Sequence, residues 1–355
     1  MAEIKKILIA NRGEIVQRAI RTIREMGKKS VVVYSAGDKN ASYLKHADEA
    51  VCIGGAKSSE SYLNIPAIIT AAEMTGCDAI FPGYGFLSEN QDFVEICQLH
   101  NIKFIGPSVE VMEKMADKSK AKDEMIKAGV PVVPGSKGAV HSVEEGRRVA
   151  LEIGYPIMAK ASAGGGGRGM RLIENEDKFD QLFTAASSEA LAAFGDGTMY
   201  LERFINNPRH IEVQVVGDSH GNAIHIGERD CSLQRRHQKV IEESPAILLN
   251  DETRAKLHDV AVKATKYLKY EGAGTFEFLA DDKQNIYFME MNTRLQVEHP
   301  VSEMVSGIDI VELMIKVAEG EKVPPQESIK FRGHAIECRI TAEDPNSFLP
   351  SPGKV

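Results

Sequence analysis

The sequence predicts a mixed α/β and α+β fold. An N-terminal open parallel α/β domain precedes a small α+β domain and a C-terminal domain on a mostly antiparallel sheet. Apolar runs alternate with amphipathic helical stretches over residues 1–115, a glycine run separates two apolar strands near residue 165, and long strands follow closely on one another from residue 204. We therefore predict a domain at 1–115, a helical linker at 116–134, and domains at 135–203 and 204–355.

Composition and charge exclude several classes of protein. Apolar residues make up 43% of the chain and no apolar run reaches 18 residues, which argues against a disordered chain and a membrane span. Lys and Arg total 43 against 51 Asp and Glu, and a net charge of −8 disfavours nucleic acid as a partner. The five cysteines are dispersed and the N-terminus lacks a signal peptide's features, so we expect reduced thiols and a cytoplasmic location.

The first domain repeats a strand–helix pattern. The apolar segment 4–10 predicts a buried strand, the periodicity from Glu14 to Met26 predicts a helix, and 30–35 predicts a second strand, which together indicate a βαβ unit and a parallel sheet. The pattern continues with strands at 50–53, 78–85 and 103–106 and helices at 64–75 and 90–100.

The middle of the chain contains a helical stretch, a linker and a small α+β unit. The Lys-rich stretch 109–128 predicts a helix, and 130–138 reads as a linker. Ser142 and Glu145 form a capping box ahead of a helix at 143–153. Strands are predicted at 155–162 and 170–173, and a helix at 177–193.

The C-terminal part predicts an antiparallel sheet because its strands are long and close together in sequence. The predicted strands are 210–218, 222–230, 274–280 and 285–292. Helices are predicted at 252–270 and 308–319.

The run from Gly164 to Gly167 predicts a phosphate-binding loop. It matches GxGxxG, but a strand follows where a dinucleotide fold needs a helix, and the chain has no GxxxxGK[ST]. A flexible surface loop is the competing interpretation. Lys160 favours phosphate, because a lysine inside the apolar strand before the loop is costly unless an anion meets it.

Glu277 and Glu290 form a candidate metal site. They lie on two predicted strands joined by a short polar turn. If Asp281 pairs with Ile286, the two carboxylates face each other about 5 Å apart at Cβ. Like charges so placed need a cation between them, and oxygen ligands favour Mg²⁺ over zinc. The competing interpretation is two solvated glutamates, which their apolar neighbours disfavour.

Two further segments indicate an anion site. The run RRHQK (235–239) is either a basic surface patch or an anion site, and the spacing of His237 and Cys231 does not fit zinc. In 292–300, Arg294, Gln296 and Glu298 alternate with apolar residues. A strand there would carry a cation, an amide and a carboxylate on one face, which suits binding a small planar anion and removing its proton. An amphipathic strand with one wet face is the alternative.

Nine segments together resemble the ATP-grasp superfamily and, within it, the biotin carboxylases. They occur in family order over the whole chain, so the resemblance is more specific than any single motif. The segments are IANRGEI (9–15), FPGYGFLSEN (81–90), MADKSKAK (115–122), AKASAGGGGRGM (159–170), NNPRHIEVQV (206–215), ERDCSLQRRHQKVIEE (228–243), GAGTFEF (272–278), EMNTRLQVEHPV (290–301) and RGHAIECRITAEDP (332–345).

The resemblance implies an ATP-grasp fold, with a Rossmann-like first domain and a small lid domain, and roles for the matching residues. ATP would be bound by Lys118, Lys160, Gly164, Gly165, Gly166, Gly167, Met170, Glu202, Arg203, Ile205, His210, Gln234, His237 and Leu279. Mg²⁺ or Mn²⁺ would be held by Glu277, Glu290 and Asn292. Bicarbonate would be bound by Lys239, Arg294, Gln296, Val297 and Glu298. Glu298 would be the general base, Lys239 and Arg294 would assist it, and Arg339 would bind biotin and stabilise its enolate.

The resemblance also implies an activity and partners. The chain would carboxylate biotin on a biotin carboxyl carrier protein, using ATP and bicarbonate through carboxyphosphate, as the first half-reaction of a bacterial acetyl-CoA or pyruvate carboxylase. A carboxyltransferase subunit and a second copy of the chain are the other expected partners. The family pattern continues past Val355, so we expect the last domain to be incomplete in this chain.

Three other functions compete with this interpretation. Another ATP-grasp ligase, joining a carboxylate to an amine, shares the ATP-site residues but not RRHQK and RLQVEHP. A non-catalytic module is disfavoured by the intact Lys, Glu and Arg positions. A nicotinamide dehydrogenase is excluded because NRGE follows the first strand where glycines are required.

Overall fold

A parallel sheet organises the N-terminal part of the computed structural model, which describes residues 3–161, 170–236 and 238–351. Its strands are β1 (Lys6–Ile9), β2 (Lys29–Tyr34), β3 (Glu49–Cys52), β4 (Ala79–Phe81) and β5 (Lys103–Phe104). They pair in parallel in the order β3-β2-β1-β4-β5, which confirms the predicted open α/β sheet. The connections carry the helices α1 (Glu14–Glu25), α2 (Ile65–Thr75) and α3 (Gln91–Leu99).

The helical stretch predicted at 109–128 is two helices, α4 (Val109–Ala116) and α5 (Lys118–Lys127). Asp117 separates them because its backbone is extended, and its side chain accepts a hydrogen bond from the Lys120 backbone N–H at 2.8 Å. This bond caps the N-terminus of α5. The predicted helical stretch is confirmed, and the structure adds the break at Asp117, which helical periodicity alone does not mark.

The second sheet is small and antiparallel. Its strands are β6 (Ile157–Ala161), β7 (Met170–Ile173) and β8 (Met199–Arg203), in the order β7-β6-β8, and its helices are α6 (Val143–Ile153) and α7 (Phe179–Phe194). The predicted capping box forms, since Ser142 Oγ accepts a hydrogen bond from the Glu145 backbone N–H at 3.1 Å. The Glu145 carboxylate reaches back to the backbone N–H of His141.

The third sheet is antiparallel and carries most of the candidate site. Its strands are β9 (Arg209–Gly217), β10 (Ala223–Arg235), β11 (Gln238–Ser244), β12 (Gly272–Ala280), β13 (Ile286–Asn292) and β14 (Ala335–Cys338). Within the described residues their order is β13-β12-β9-β10-β11-β14. The helices of this region are α8 (Asp251–Tyr267), α9 (His299–Ser306) and α10 (Ile310–Ala318). Antiparallel pairing is confirmed, whereas β8, β11, β14 and α9 were not predicted.

A shared core holds the first and third sheets together. Ile7 of β1, Ile20 of α1, Val216 of β9 and Met314 of α10 belong to one cluster of buried apolar side chains. Helix α10 is apolar on most sides, as expected for a helix packed between other elements. Val216 follows Gln214 by two residues on β9, so this core lies on the face of the third sheet that also carries His210, Glu212 and Gln214 further along the strand.

The chain divides into two units. One consists of Met1–Val130, Arg209–Ala280 and Met289–Val355, and the other of Pro131–Pro208 and Asp281–Phe288. The domain boundaries drawn from the sequence after residues 115, 134 and 203 remain predictions. None of the helices in the described residues has the length and apolar character needed to cross a membrane.

Candidate active site

Two buried carboxylates face each other at the centre of the third sheet. Strand β9 turns His210, Glu212 and Gln214 to one face by its two-residue period, and Glu212 is fully buried. Its partner in the register of β9 and β12 is Glu277, which is also buried. Like charges directly opposite each other destabilise a sheet, so this pair needs cations nearby.

Lys239 supplies one of these cations. Its Nζ donates hydrogen bonds to Glu277 Oε1 at 3.0 Å and to Glu298 Oε1 at 2.7 Å, and it also contacts Glu212. Burial alone would lower the pKa of Lys239, but the three carboxylates raise it above its ordinary value. Lys239 is therefore a fixed positive charge shared by three acids.

Arg229 supplies a second, fully buried cation. Its guanidinium donates hydrogen bonds to Glu212 Oε2 at 3.0 Å, to Gln214 Oε1 at 2.9 Å and to Gln296 Oε1 at 2.6 Å. Burial would raise the pKa of Glu212, but the charges of Arg229 and Lys239 and the contact with His210 lower it. The Glu212 carboxylate is therefore ionised at neutral pH and holds both cations in place.

His210 completes the neutralisation of the carboxylate pair. Its Nε2 lies 3.1 Å from Glu212 Oε1 and 2.9 Å from Glu277 Oε2. Burial would lower the pKa of His210, but the two carboxylates raise it to about 9. Burial likewise opposes ionisation of Glu277, yet His210 and Lys239 lower its pKa to about 2. The structure thus places His210 beside Glu277, a predicted metal ligand. In the register of β9 and β12, His210 is the partner of Leu279, which was predicted to contact ATP.

The segment 292–300 is not the amphipathic strand predicted from its alternation. Strand β13 ends at Asn292, residues 293–298 follow an irregular path, and α9 begins at His299. Leu295 is buried, and so are Gln296 and Glu298, because the segment runs between packed elements rather than along a sheet surface. Gln296 and Glu298 still reach the same carboxylate cluster, because the packing of this segment positions them rather than the alternation of a strand.

Glu298 lies between two cations. Its Oε1 accepts the hydrogen bond from Lys239, and its Oε2 accepts one from Arg339 Nη2 at 2.9 Å. Arg339 follows β14 directly, and its Nε donates to Glu242 Oε1 at 2.6 Å. The carboxylate predicted as the general base is thus oriented from both sides.

Arg294 and Asn292 form a second part of the network. Arg294 donates from Nη2 to Asn292 Oδ1 at 2.8 Å and from Nε to Glu89 Oε2 at 2.9 Å. Asn292 and Gln296 each donate from their side-chain amides to Glu277 Oε1, at 2.7 and 2.8 Å. The structure therefore brings Arg294 and Gln296 to the same carboxylate cluster as Lys239.

Two cavities adjoin this network. One, of about 300 Å³, is lined by Gln234, Lys239 and Arg339 among others. Val297, predicted to contact bicarbonate, lines a larger cavity of about 610 Å³ together with Tyr84 and Glu337. The smaller cavity can admit a small ligand beside Lys239 and Arg339, and the larger one can admit a ligand beside Val297 and Glu337.

The donor set of the predicted metal ligands fits Mg²⁺. Glu277 and Asn292 are in contact, and Glu290 precedes Asn292 by two residues on β13, so the last two share a face. Carboxylate and amide oxygens are the ligands that Mg²⁺ prefers. In the register of β9 and β12, Glu277 faces Glu212. The predicted pairing of Glu277 with Glu290 between β12 and β13 remains a prediction.

Two other clusters of ligand-type groups occur among the described residues. They are His210, Glu212 and Glu277, and Glu212, Cys231 and Glu298, with ligand atoms within 4.8 Å of one another. Both contain Glu212, whose charge is already matched by Arg229 and Lys239. Burial also raises the pKa of Cys231 well above its ordinary value, which keeps its sulfur protonated. Neither cluster therefore requires a metal to balance its charge.

Other predicted ATP-binding residues lie in the smaller unit. Lys160 Nζ lies 2.5 Å from Glu202 Oε2 on the neighbouring strand, and Met170 is the partner of Lys160 on β7. Arg203 donates to the Ile153 carbonyl at 2.8 Å. Arg203 and Ile205 also line a cavity of about 300 Å³ in the same unit.

Some predicted residues cannot be located. Gly164, Gly165, Gly166, Gly167 and His237 lie outside the described residues. Lys118 is the first residue of α5, but its side chain lies outside the described part of the chain. Of the run RRHQK, Lys239 joins the network, while Arg235 pairs with Glu343 and Arg236 has the positive φ of a hairpin turn.

Sequence reasoning missed four charged residues of the network, which are Glu89, Glu212, Arg229 and Glu242, and the polar residue Gln214. The sequence contained a signal for Glu212. Burying a charge within the apolar strand HIEVQVV is unfavourable without a partner, and the same argument was used for Lys160 in its strand. Glu89 lies in the segment FPGYGFLSEN, which was used only for the resemblance.

Two protein-family models together match most of the chain. Residues 3–112 match the biotin carboxylase N-terminal domain, and residues 117–326 match the ATP-binding domain of the carbamoyl-phosphate synthase L chain. The first match covers the parallel sheet, and the second covers all but β14 of the antiparallel sheet.

Curated relatives match along almost the full chain. The biotin carboxylase of Nostoc sp. (strain PCC 7120) is 56% identical over 352 residues, which are 99% of this chain and 79% of the relative. The biotin carboxylase of Pseudomonas aeruginosa is 54% identical over 354 residues, with the same two shares.

Solved structures agree with these relatives. The biotin carboxylase βγ-ATP complex from Campylobacter jejuni is 70% identical with a TM-score of 0.89, over 99% of this chain and 79% of that one. The biotin carboxylase domain dimer of the Hydrogenobacter thermophilus 2-oxoglutarate carboxylase, in complex with MgADP, ADP and bicarbonate, is 50% identical with a TM-score of 0.85, over 100% of this chain and 81% of that one.

Proposed function

This chain belongs to the biotin carboxylase family, and we propose that the network around Lys239 and Glu298 is where it activates bicarbonate. The chain is an ATP-dependent ligase that carboxylates biotin with bicarbonate, as a component of a biotin-dependent carboxylase. The observation that supports the proposed site is the Glu298 carboxylate, which is buried and hydrogen-bonded by Lys239 and Arg339.

Lys239, Arg294 and Gln296 would bind bicarbonate. Two cations and an amide donor in one hydrogen-bonded network match the charge and the planar oxygens of this anion. In this structure these donors bind Glu277, Glu298 and Glu89, so bicarbonate would compete with protein carboxylates for them. Val297 would contribute its backbone.

Glu298 would act as the general base. As a bicarbonate oxygen attacks the γ-phosphorus of ATP, the proton of bicarbonate passes to the Glu298 carboxylate and the bond to ADP breaks. The product is carboxyphosphate, and Lys118 and Lys160 would neutralise charge on the phosphates. Mg²⁺, when bound by Glu277, Glu290 and Asn292, supplies further positive charge to the phosphate oxygens.

Arg339 would serve the second step. Carboxyphosphate releases CO₂ and phosphate, the phosphate takes the proton from N1 of biotin, and N1 then forms its bond to the CO₂ carbon. Negative charge develops on the biotin carbonyl oxygen during this transfer, and a guanidinium at that position stabilises it. Arg339 donates to Glu298 and lines the same cavity as Lys239, and this proximity of the two proposed steps supports the role.

The partners are proposed from the family and from the named relatives. We propose that a biotin carboxyl carrier protein delivers biotin, that a carboxyltransferase uses the product, and that two copies of the chain associate. A dimer is named for the Hydrogenobacter relative. A cytoplasmic location is supported by the five cysteines, each of which is free.

The test is phosphate release from ATP by this chain. We expect release that requires bicarbonate, Mg²⁺ and free biotin together. Phosphate release that does not depend on biotin but requires a carboxylate substrate and an amine substrate would instead indicate another ATP-grasp ligase.

A further inference from the structure

Strands β11 and β14 place two acidic residues directly opposite each other. Glu242 and Glu337 are partners in the antiparallel register, where opposite Cβ atoms lie about 5 Å apart. Glu242 is fully buried and Glu337 is half-buried. This is a second pair of facing carboxylates, on other strands than Glu212 and Glu277.

One oxygen atom of each carboxylate in this pair lacks a donor among the described residues. Among the described residues, Glu242 Oε2 and Glu337 Oε2 are both buried and have no hydrogen-bond partner. The other Glu242 oxygen accepts the Nε hydrogen of Arg339. A buried carboxylate oxygen without a donor is costly, and a proton on one member of the pair removes that cost.

Both acidic and basic groups surround the pair. Burial and the charges of Glu242 and Glu298 together raise the pKa of Glu337 to about 7, while Arg339 and Arg229 oppose this rise. Burial also raises the pKa of Glu242. The charge of Arg339 lowers this pKa, whereas the charges of Glu298 and Glu212 raise it. The charged and titratable groups that share the larger cavity with Glu337 are Glu14, Arg18, Arg21, Arg24, Glu25, Tyr84 and His299.

We propose that Glu242 and Glu337 hold one proton between them, and that the pair positions Arg339 against Glu298. The role of Arg339 in this inference rests on the proposed function. With the proton on Glu337, the guanidinium of Arg339 is shared by two carboxylates, Glu242 at Nε and Glu298 at Nη2. Glu242 and Glu337 are positioning residues and do not touch the substrate in this scheme.

Loss of the shared proton changes the surroundings of Arg339. Ionised Glu337 becomes a third carboxylate near the guanidinium and attracts it away from Glu298 and from the biotin oxygen. Glu337 lines the cavity of about 610 Å³, so a proton can reach it from solvent. Biotin carboxylation therefore falls as pH rises through the pKa of Glu337.

The first test measures the proton without any catalysis. The raised pKa means that folded Glu337 binds its proton more tightly than the unfolded chain, so its contribution to stability is full below about pH 4.5 and is lost as pH rises through about 7. Between pH 5 and pH 8, the unfolding constant of the wild type, from urea titration, should rise at least about tenfold relative to that of Glu337→Gln. An unchanged ratio overturns the shared proton.

Glu327→Gln is the matched control, since Glu327 is an exposed glutamate on the same connection before β14. Its ratio to the wild type should stay constant between the two pH values. A control ratio that changes as much as that of Glu337→Gln also contradicts the proposal.

The second test measures positioning. Glu242→Gln should raise the KM for biotin about tenfold while the KM for ATP stays unchanged, and Glu337→Gln should remove an ionisation near pH 7 from the profile of kcat/KM for biotin. Equal effects on both substrates, or a profile identical to the wild type, overturn the positioning role. If Glu242→Gln does not fold, the Glu337→Gln profile decides. If the wild type itself lacks biotin-dependent turnover, the proposed function fails, while the unfolding comparison still decides the proton.

Discussion

At the scale of single residues, Glu298 has a closely defined environment. It is buried, and each of its oxygens accepts a hydrogen bond from a different cation. The two cations fix the orientation of the carboxylate, and glutamine has nearly the same size and shape as glutamate. The base can therefore be removed without changing the shape of the site.

Glu298→Gln should lower biotin-dependent phosphate release by about 10²–10⁴-fold, because the amide cannot accept the bicarbonate proton. ADP affinity, measured by calorimetry, should stay within about twofold of the wild type, since the proposed nucleotide ligands lie elsewhere. Glu327→Gln serves as the exposed control and should retain full activity. A variant that loses ADP affinity instead would show that Glu298 holds the nucleotide.

A second residue-scale prediction concerns the metal. Glu290→Gln should raise the Mg²⁺ concentration for half-maximal activity by about 10-fold or more, because one anionic oxygen ligand is replaced by a neutral one. The measurement is a Mg²⁺ titration of phosphate release at saturating ATP. Superimposable titrations for the variant and the wild type would refute Glu290 as a ligand.

At the scale of elements, the face of β10 opposite the network is tied to helix α8. Glu228 of β10 accepts a hydrogen bond from Arg254 Nε at 2.8 Å, and its other oxygen lies 2.7 Å from His258 Nε2. Burial opposes ionisation of Glu228, but these two partners lower its pKa to about 2. The ion pair with Arg254 and the hydrogen bond with His258 therefore hold α8 against β10, the strand that also carries Arg229.

Glu228→Gln should lower the free energy of unfolding at pH 7 by an amount on the order of 3 kcal/mol. The contribution of Glu228 is present above about pH 4.5 and is lost as pH falls through about 2, because its pKa is lowered in the folded state. Urea unfolding at pH 7 and at pH 3 checks this, and the difference between variant and wild type should shrink at pH 3. A difference that is equal at both pH values would mean that packing, not charge, accounts for the loss.

Several elements were predicted from periodicity and apolar runs. They are the parallel strands, the helices α1, α2, α6, α8 and α10, and the strands β9, β10, β12 and β13. The missed β8, β11, β14 and α9 have between four and eight residues, and length alone does not explain the misses, because β13 is no longer than β11. The missed strands are defined by their pairing with β6, β10 and β11, which a local pattern does not mark.

At the scale of the whole molecule, nucleotide binding should couple to folding. A ligand that binds only the folded chain stabilises it, by about 2.7 kcal/mol at one hundred times its Kd. MgADP at that concentration should therefore raise the Tm, and bicarbonate should add to the shift. Differential scanning calorimetry measures this, with MgGDP as the control. Equal shifts with ADP and GDP would contradict a specific adenine site.

The sequence by itself determined the fold class, the family and most of the candidate site. Lys160, the glycine run, Arg294 and Glu298 stand out locally because a charge or a glycine lies where an apolar strand is expected. Nine matching segments in family order then fix the family.

Only the tertiary structure decided which carboxylates meet and which cations hold them. Glu212 faces Glu277, which lies 65 positions further along the chain, and Arg339 reaches Glu242 over 97 positions. Such contacts depend on strand order and register, which the packing of the whole sheet sets, and no local pattern encodes them. The path of residues 293–298 was misjudged for the same reason, since burial between elements produces an alternation that resembles a strand.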